Sequence, residues 1–162
     1  RHRIAVPSGC ARGVDLISHR AALENGGGTI GVLPHGFSQL KMPDSMKEAY
    51  NPDFMLLVSP FGFDTEYSTF NAFRRNRLAC ALSRAVFIVE SPADGGIYEA
   101  AKSARALGVP LYATEYAEYP DTAAGNPVIM RELGAQPVRG RLVNNALLPN
   151  PDRLIAAVKF GD

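Results

Sequence analysis

The chain has 162 residues, of which 46% are hydrophobic and 20% are charged, and its formal net charge is +1. This composition is typical of a folded globular domain that can bury a core, and it excludes a disordered or collagen-like chain. The small net charge excludes binding to nucleic acid through the overall field of a strongly basic protein. Any such binding must depend on a local cluster of cations.

The two cysteines, Cys10 and Cys80, lie among small and apolar residues. This setting predicts buried thiols in a reducing compartment rather than a disulfide framework. The sequence shows no cysteine or histidine spacing typical of a metal site, no apolar run that could span a bilayer and no signal-peptide pattern. We therefore expect a cytoplasmic protein that has no metal, no cofactor and no contact with a membrane.

Apolar runs alternate with helical periodicities along the chain. Strands are predicted at residues 4–6, 29–33, 54–59, 86–90 and 109–113. Helices are predicted at residues 14–24, 44–50, 73–84, 97–107, 126–133 and 153–159. This alternation predicts an α/β fold with a Rossmann-like open, mainly parallel sheet and helices on both of its faces. We expect one domain that covers residues 1–162.

Two of these elements carry more detailed expectations. The run at residues 86–90 is almost wholly apolar, which predicts a strand buried on both faces and lying centrally in the sheet. Helical spacing in residues 14–24 predicts an inner face that contains Ile17, Ala21 and Ala22. His19 on the same helix has no visible catalytic partner and is expected to be structural. His35, at the end of a strand, is the better candidate for a functional histidine.

Three arginines, Arg74, Arg75 and Arg77, fall in the predicted first turn of the helix at residues 73–84. A helix N-terminus carries partial positive charge and free N–H groups, so it favours anions. Cations at this position indicate that an external anion is bound, and phosphate suits the planar guanidinium. The alternative is an ordinary ion-pair cluster in which Asp64 and Glu66 neutralise the arginines.

A loop punctuated by glycines, residues 7–15, connects the first strand to the first helix. A strand, a loop of small residues and a helix form an arrangement that directs backbone N–H groups toward a phosphate. The spacing matches neither the dinucleotide-binding fingerprint nor the P-loop. Gly9 and Gly13 therefore fit a tight turn as well as they fit a close approach of ligand.

A second loop is rich in aromatic residues. Its members and their helical neighbours are Phe61, Phe63, Tyr67, Phe70 and Phe73. Exposed rings beside cations form stacking platforms for single-stranded nucleic acid. The alternative is a small satellite core beneath a long loop. Phe70 and Phe73 are the candidates for base stacking.

Four segments together resemble the DNA-processing protein A family (DprA, also called Smf). Residues 8–19, Ser-Gly-Cys-Ala-Arg-Gly-Val-Asp-Leu-Ile-Ser-His, are similar to the family signature Ser-Gly-x-Ala-x-Gly-Ile-Asp-x-x-x-His. Residues 28–33 are similar to its Gly-Thr-Ile-Ala-Val-Leu strand, and residues 75–86 are similar to its Arg-Asn-Arg-Ile…Leu-Ser-x-Ala-Val segment. Residues 125–135 are similar to its closing Gly-x-Asn-x-Leu-Ile-x-x-Gly-Ala.

This resemblance implies a Rossmann-like domain that binds single-stranded DNA without a metal. It implies a role in DNA uptake and recombination, loading of a RecA-type recombinase, and a homodimer. By motif position it implies binding residues in the first loop, at the arginine helix and in a later glycine loop. These are Ser8, Gly9, Arg12, Gly13, Arg75, Asn76, Arg77, Gly95 and Gly96.

The chain also departs from the family pattern. The family's first strand, with its Gly-Ser-Arg loop, would precede Arg1, and the sequence shows no winged-helix module after the domain. Glu99 stands where the family has threonine, and residues 72–73 are Ala-Phe where the family has Phe-Pro. These departures leave open a nucleotide-binding sensor or a LOG-like nucleotide phosphoribohydrolase on the same fold. Residues 94–99 only partly match the LOG-type glycine loop, and we assign no catalytic residue.

Overall fold

The computed structural model describes residues 4–144 and 146–161, and within the second range it describes only the backbone of residue 147. The chain divides into two compact units, unit 1 up to Leu82 and unit 2 from Ser83 onward. Strands and helices alternate in both units, which confirms the predicted α/β class. Within the described residues, none of the helices has both the length and the apolar character needed to cross a membrane.

Unit 1 is built on three parallel strands. Its elements are β1 (Val6–Ser8), α1 (Val14–Glu24), β2 (Thr29–Val32), a 3-10 turn (Phe37–Gln39), α2 (Asp44–Lys47), β3 (Met55–Val58) and α3 (Thr69–Ala81). The sheet has the order β1-β2-β3, with Val6 opposite Thr29 and Thr29 opposite Met55. Both α1 and α3 pack on β1 and β2. The carboxyl ends of these parallel strands share one edge, which is where such sheets bind ligands.

Helix α1 has the predicted bounds but not the predicted inner face. Ile17 is 67% exposed and Ala21 is also exposed, whereas His19 is completely buried. The helix turns its polar side inward because Asp15 and His19 hydrogen-bond to the loop after β1 and to β2. The expectation that Ile17 and Ala21 face the core is therefore wrong.

Unit 2 contains a second parallel sheet and a hairpin. Its elements are β4 (Val86–Ile88), α4 (Gly96–Ala106), β5 (Leu111–Thr114), a 3-10 turn (Asp121–Ala123), α5 (Asn126–Leu133), β6 (Gln136–Val138), β7 (Gly140–Val143), β8 (Ala146–Pro149) and α6 (Asp152–Phe160). The parallel sheet has the order β4-β5-β6, and β7 pairs with β8 in antiparallel fashion.

One expectation fails in unit 2, and one strand was not predicted. In the pairing of the described strands, β4 is an outer strand bonded to β5, and Phe87 is 38% exposed, so a central strand buried on both faces is wrong. The sequence also gave no signal for β6. That strand contains Pro137, which lacks a backbone N–H, and proline is tolerated because β6 is an outer strand.

Asn126 joins three segments of unit 2 at the carboxyl end of its sheet. Its side-chain Oδ1 accepts a hydrogen bond from the Ser91 backbone N–H at 2.9 Å. Its Nδ2 donates to the carbonyl oxygens of Val89 and Thr114, each at 2.9 Å. The residue is completely buried, so water cannot replace these bonds. Asn126 thus holds the segment after β4 against the end of β5.

We predict that Asn126→Ala lowers the free energy of unfolding by about 3 kcal/mol or more, because three buried backbone groups lose their partner. Chemical denaturation monitored by circular dichroism measures the change. The matched control is Asn150→Ala at an exposed position of the same unit, where the change should stay within about 0.5 kcal/mol. Equal effects of the two substitutions would contradict the assigned role.

Candidate nucleic-acid interface

The loop after β1 is hydrogen-bonded to one carboxylate at the start of α1. Asp15, in the first turn of α1, accepts a hydrogen bond from Ser8 Oγ at 2.8 Å and another from the Ala11 N–H at 3.1 Å. Two positions of the loop have positive φ, namely Cys10 at 58° and Gly13 at 89°. For Gly13 the conformation favours glycine, whereas Cys10 carries the strain of a side chain in the left-handed region.

Helix α3 begins earlier than predicted. It starts at Thr69, and its N-cap Ser68 accepts a hydrogen bond from the Asn71 N–H at 3.1 Å. Arg74, Arg75 and Arg77 therefore lie in the second and third turns, beyond the reach of the free N–H groups at the helix start. The argument that these cations share a helix N-terminus with an anion is wrong, and any anion site here must have another basis.

Arg75 lies beneath the first loop and is only 5% exposed. Its Nη1 donates to the carbonyl oxygen of Val32 at 3.0 Å, at the end of β2. The guanidinium also occupies the space that a side chain at position 9 would need, because a Cβ on Gly9 would lie 2.0 Å from Arg75 Nη1. Gly9 is therefore required by the close approach of this arginine to the loop.

Burial lowers the pKa of Arg75, while the nearby Asp15 carboxylate acts in the opposite direction. The guanidinium remains charged, because arginine is too strong a base to be deprotonated inside a protein. The groups that influence the pKa of Arg75 are Asp15, Cys10 and Tyr67, and neither Asp64 nor Glu66 is among them. The ion-pair alternative for Arg75 therefore also fails. Its Nε is buried and has no hydrogen-bond partner among the described residues.

A chain of hydrogen bonds connects the loop to the core of unit 1. Thr29 Oγ1 donates to the Val6 carbonyl at 2.6 Å, so it accepts from His19 Nδ1, also at 2.6 Å. His19 Nε2 is then the acceptor for the Cys10 thiol, with Sγ and Nε2 separated by 3.5 Å. The arrangement needs a neutral imidazole and a neutral thiol.

The electrostatic environment agrees with this neutral pair. Burial lowers the pKa of His19 and raises the pKa of Cys10 to about 11. The thiol also rests on Gly31 of β2, where an added Cβ would lie 2.7 Å from Cys10 Sγ. Cys10 and His19 thus support the loop, and they do not form the thiolate–imidazolium pair that nucleophilic catalysis uses.

Several of the predicted residues come together around one cavity of about 660 Å³, which we call the unit 1 cavity. Gly9, Arg12, His35, Lys41 and Arg75 line it. Arg12 and Lys41 are exposed, so their charges are available to a ligand in solution. This clustering of cations from separate loops is the local basic region that the net charge could not reveal.

Arg77 does not share this cavity. It lines a separate, more open groove of about 320 Å³ with Arg74, Pro60, Leu78 and Ala81. Residues two positions apart on a helix point in different directions, so Arg75 and Arg77 diverge although they share one short motif. Asn76, between them, is half-buried.

The aromatic loop forms an exposed surface with Arg74. The Arg74 guanidinium carbon lies 5.6 Å from the centroid of the Phe61 ring and 5.9 Å from that of the Phe70 ring. Phe70 is 67% exposed and Phe73 is 39% exposed. These exposures disfavour a buried satellite core at Phe70 and leave both rings accessible.

In unit 2, Gly95 and Gly96 form the start of α4. Gly95 is the N-cap with φ of 99°, and a Cβ built on it would meet nothing within 4 Å. The glycine is therefore required by its backbone conformation and not by crowding. Glu99, one turn further, forms an exposed ion pair with Lys102 at 2.7 Å.

The sequence analysis missed Asp15 and Cys10 as organisers of the first loop. The signal for Asp15 was its position in the first helical turn after a glycine loop, where a carboxylate can accept loop N–H groups. The buried link from His19 to Thr29 had no pattern that one sequence could show. His19 itself is structural, as expected.

The fold and the first loop define a Rossmann-like domain with a loop and helix arrangement suited to anions. Residues 1–144 match the sequence model of the family described as DNA recombination-mediator protein A. Because this match covers most of the chain, the protein belongs to that family, and the predicted family assignment is confirmed.

Sequence comparison with individual proteins agrees with this assignment. The chain is 28% identical to protein Smf of Escherichia coli over 98% of its own length and 40% of that protein. It is 28% identical to DNA processing protein DprA of Bacillus subtilis over 82% of its length and 45% of that protein. The chain thus spans less than half of these curated relatives.

Solved structures show the same fold. DNA processing protein A from Streptococcus pneumoniae superposes with a TM-score of 0.73 and 26% identity, covering 85% of this chain and 49% of that one. The protein from Helicobacter pylori, described with a single-stranded DNA binding mode, gives a TM-score of 0.68 and 26% identity. That match covers 82% of this chain and 60% of the Helicobacter chain.

We predict that the free energy of unfolding decreases as the pH is lowered below about 6.5, the ordinary pKa of histidine. The reason is that the pKa of His19 is lowered in the folded state. Below that pH the unfolded chain binds a proton that folded His19 resists, so unfolding becomes easier. The loss is at most about 1.4 kcal/mol per pH unit for this one group. It ends once the pH falls below the lowered pKa.

Denaturant titrations between pH 7.5 and 5 measure this dependence in wild type and in His19→Gln. The substituted protein lacks the titrating group, so the difference between the two stability curves should shrink as the pH falls. Parallel curves over this range would show that His19 does not contribute.

Proposed function

We propose that this domain binds single-stranded DNA through its phosphate backbone, with little preference for sequence. The observation that carries the proposal is the loop after β1, which is hydrogen-bonded to Asp15, lies close to Arg75 and contains the exposed Arg12. A fixed loop of small residues presents backbone N–H groups to an anion without first having to become ordered. Family membership and the described DNA-binding mode of the Helicobacter relative add support.

The predicted residues divide into two roles under this proposal. Gly9, Arg12 and Gly13 meet the phosphate directly, through backbone and guanidinium. Ser8 donates its hydroxyl to Asp15, and Arg75 donates to Val32 at the end of β2 and lies close to Gly9, so both are proposed to support the site from beneath the loop.

Residues outside the first loop are also proposed as phosphate contacts. In unit 1 these are Asn76 and Arg77 on α3, and in unit 2, considered by itself, they are Gly95 and Gly96 at the start of α4. Phe70 and Phe73 are proposed to stack on bases, with Arg74 keeping cationic charge over the Phe70 ring.

The role of the intact protein is also a proposal. We infer a function in DNA uptake and recombination, with loading of a RecA-type recombinase and a homodimeric assembly, in a cytoplasmic setting. The support is membership of a family whose description names recombination mediation. Comparing the intact protein with a variant that lacks DNA binding, in a recombinase-loading reaction, would test it.

The phosphoribohydrolase alternative has less support. Glu99 is the glutamate of the partial match to the LOG-type glycine loop, and here it forms an exposed ion pair with Lys102 three positions along α4. An acidic residue in a first helical turn is explained by the helix dipole and this pair.

We predict that the double substitution Arg12→Ala with Arg77→Ala weakens binding to oligonucleotides of all sequences and flattens its salt dependence. Each phosphate contact that is lost should reduce the slope of log K against log salt by about 0.7 for a single strand. Two lost contacts thus reduce it by about 1.4. Fluorescence anisotropy with labelled oligonucleotides at several salt concentrations measures both quantities.

The matched control is Arg20→Ala with Lys47→Ala, which removes the same charge from exposed cations of unit 1 that pair with Glu24 and Asp44. This control should keep the wild-type slope. If both double variants reduced the slope equally, binding would depend on overall charge and not on the proposed surface.

We predict that Phe70→Ala and Phe73→Ala each weaken binding by about 1–3 kcal/mol, because each removes a ring that stacks on a base. The control is Phe54→Ala, which removes a ring that is 48% exposed on unit 1 and lies outside the aromatic loop. Anisotropy measures affinity, and thermal melting checks the fold. Unchanged affinity in both loop variants would remove stacking from the proposed mechanism.

A further inference from the structure

A groove on an exposed face of α3 combines two cations with an apolar floor. We call it the α3 groove. It has a volume of about 320 Å³, and the described residues that line it are Pro60, Arg74, Arg77, Leu78 and Ala81. The four helical residues are spaced at i, i+3, i+4 and i+7, so they lie on one face of α3. Pro60, which follows β3, completes the lining.

The two arginines of the α3 groove have no acidic partner. Among the described residues, no carboxylate forms an ion pair with Arg74 or Arg77, and none of the residues that line the groove is acidic. Arg20, another exposed cation of unit 1, differs because it pairs with Glu24 at 2.6 Å. The groove therefore presents two uncompensated positive charges on residues separated by about 4.5 Å along the helix axis.

Contacts with two rings restrict the position of Arg74. Its guanidinium carbon lies 5.6 Å from the centroid of the Phe61 ring and 5.9 Å from that of the Phe70 ring. A phenyl ring attracts a cation but does not neutralise its charge. The side chain is thus positioned before a ligand arrives, which reduces the conformational freedom that it loses on binding.

The floor of the groove is aliphatic. Leu78 is half-buried and Ala81 is exposed, and no aromatic ring is among the described residues of the lining. Such a floor gives a nucleic-acid base no ring to stack on, whereas it can bury an aliphatic side chain. Ala81 is also the last residue of α3, where the negative end of the helix dipole disfavours a carboxylate. The groove therefore suits a ligand that is anionic at one end and aliphatic at the other.

We propose that the α3 groove binds an acidic segment of a partner protein, with neighbouring carboxylates on Arg74 and Arg77 and an aliphatic side chain against Leu78 and Ala81. Charge complementarity identifies the occupant, because two unpaired guanidinium groups adjoin an apolar floor. Clusters of arginine recognise acidic peptide motifs through charge-assisted hydrogen bonds. This inference goes beyond the proposed DNA binding, because it adds a protein ligand. Of the proposed phosphate contacts, the groove shares only Arg77.

Three short fluorescein-labelled peptides test the chemistry of the occupant. The first joins a block of aspartates to a block of leucines, the second has serines in place of the leucines, and the third has serines in place of the aspartates. We expect anisotropy to show that the first peptide binds about tenfold more tightly than either of the others, or better. Equal binding of the first and second peptides would show a response to charge alone and would overturn the proposal.

A substitution in the floor separates peptide binding from DNA binding. Ala81→Leu fills the apolar end of the groove without changing any charge. It should weaken binding of the first peptide about fivefold or more and leave the affinity for an oligonucleotide unchanged. The matched control is Ala21→Leu, the same substitution at an exposed position on α1, which should change neither affinity. Thermal melting checks that both variants are folded.

The outcomes distinguish this inference from the proposed function. If the first peptide did not bind and Ala81→Leu weakened oligonucleotide binding, the groove would belong to the DNA surface and the partner proposal would fail. If the peptide bound as expected and no oligonucleotide did, DNA binding would fail and the groove proposal would stand. Equal affinity of the wild type and Ala81→Leu for the peptide would place the peptide elsewhere and would also overturn the assignment.

Removal of the two cations gives an independent test. The double substitution Arg74→Gln with Arg77→Gln should abolish binding of the first peptide, because its carboxylates lose both partners. The matched control is Arg20→Gln with Lys47→Gln, which removes the same charge from exposed cations that already have acidic partners and should keep the wild-type affinity. Retained binding in the first double variant, or equal losses in both, would contradict the assignment of the groove.

Discussion

The buried guanidinium of Arg75 determines the geometry of unit 1. Through Val32 it is bonded to the end of β2, and through its close approach to Gly9 it supports the loop after β1, so one side chain of α3 fixes two strand ends. A charge in this position is costly to remove from water. The helix, the sheet and the loop must therefore form together, because none of them alone provides the environment that this arginine needs.

Polar side chains inside the protein, more than apolar ones, define its loops. In unit 1, Asp15 accepts a hydrogen bond from the first loop, and His19 is hydrogen-bonded to Thr29 beneath that loop. In unit 2, Asn126 donates to the backbone at the end of β4. Each of these side chains replaces water with directed hydrogen bonds, which have preferred distances and angles that apolar contacts lack. Loops held in this way keep one shape, as a surface that recognises a phosphate by its backbone requires.

The sequence predicted much of the fold, because helices such as α1 and α5 and most strands have clear periodicity and breakers. It failed where tertiary context decides the outcome. The inward side of α1 could not be found from hydrophobicity, because that side carries His19, and β6 has too little apolar character to be recognised. For the site, the resemblance supplied Gly9 and Arg75, but only the structure separates a buried arginine from an exposed one such as Arg12.

The contact between Cys10 and Gly31 restricts how this pair of positions can vary over evolution. Position 31 has no room for a methyl group, because a Cβ there would lie 2.7 Å from the Cys10 sulfur and 2.6 Å from Leu57 Cδ2. The family strand quoted above has alanine at this place, and that alanine would fit here only if both neighbours moved. Replacing the cysteine alone is not enough, because Leu57 Cδ2 would still lie 2.6 Å from the new methyl group. A change at position 31 therefore depends on the residues at positions 10 and 57 together.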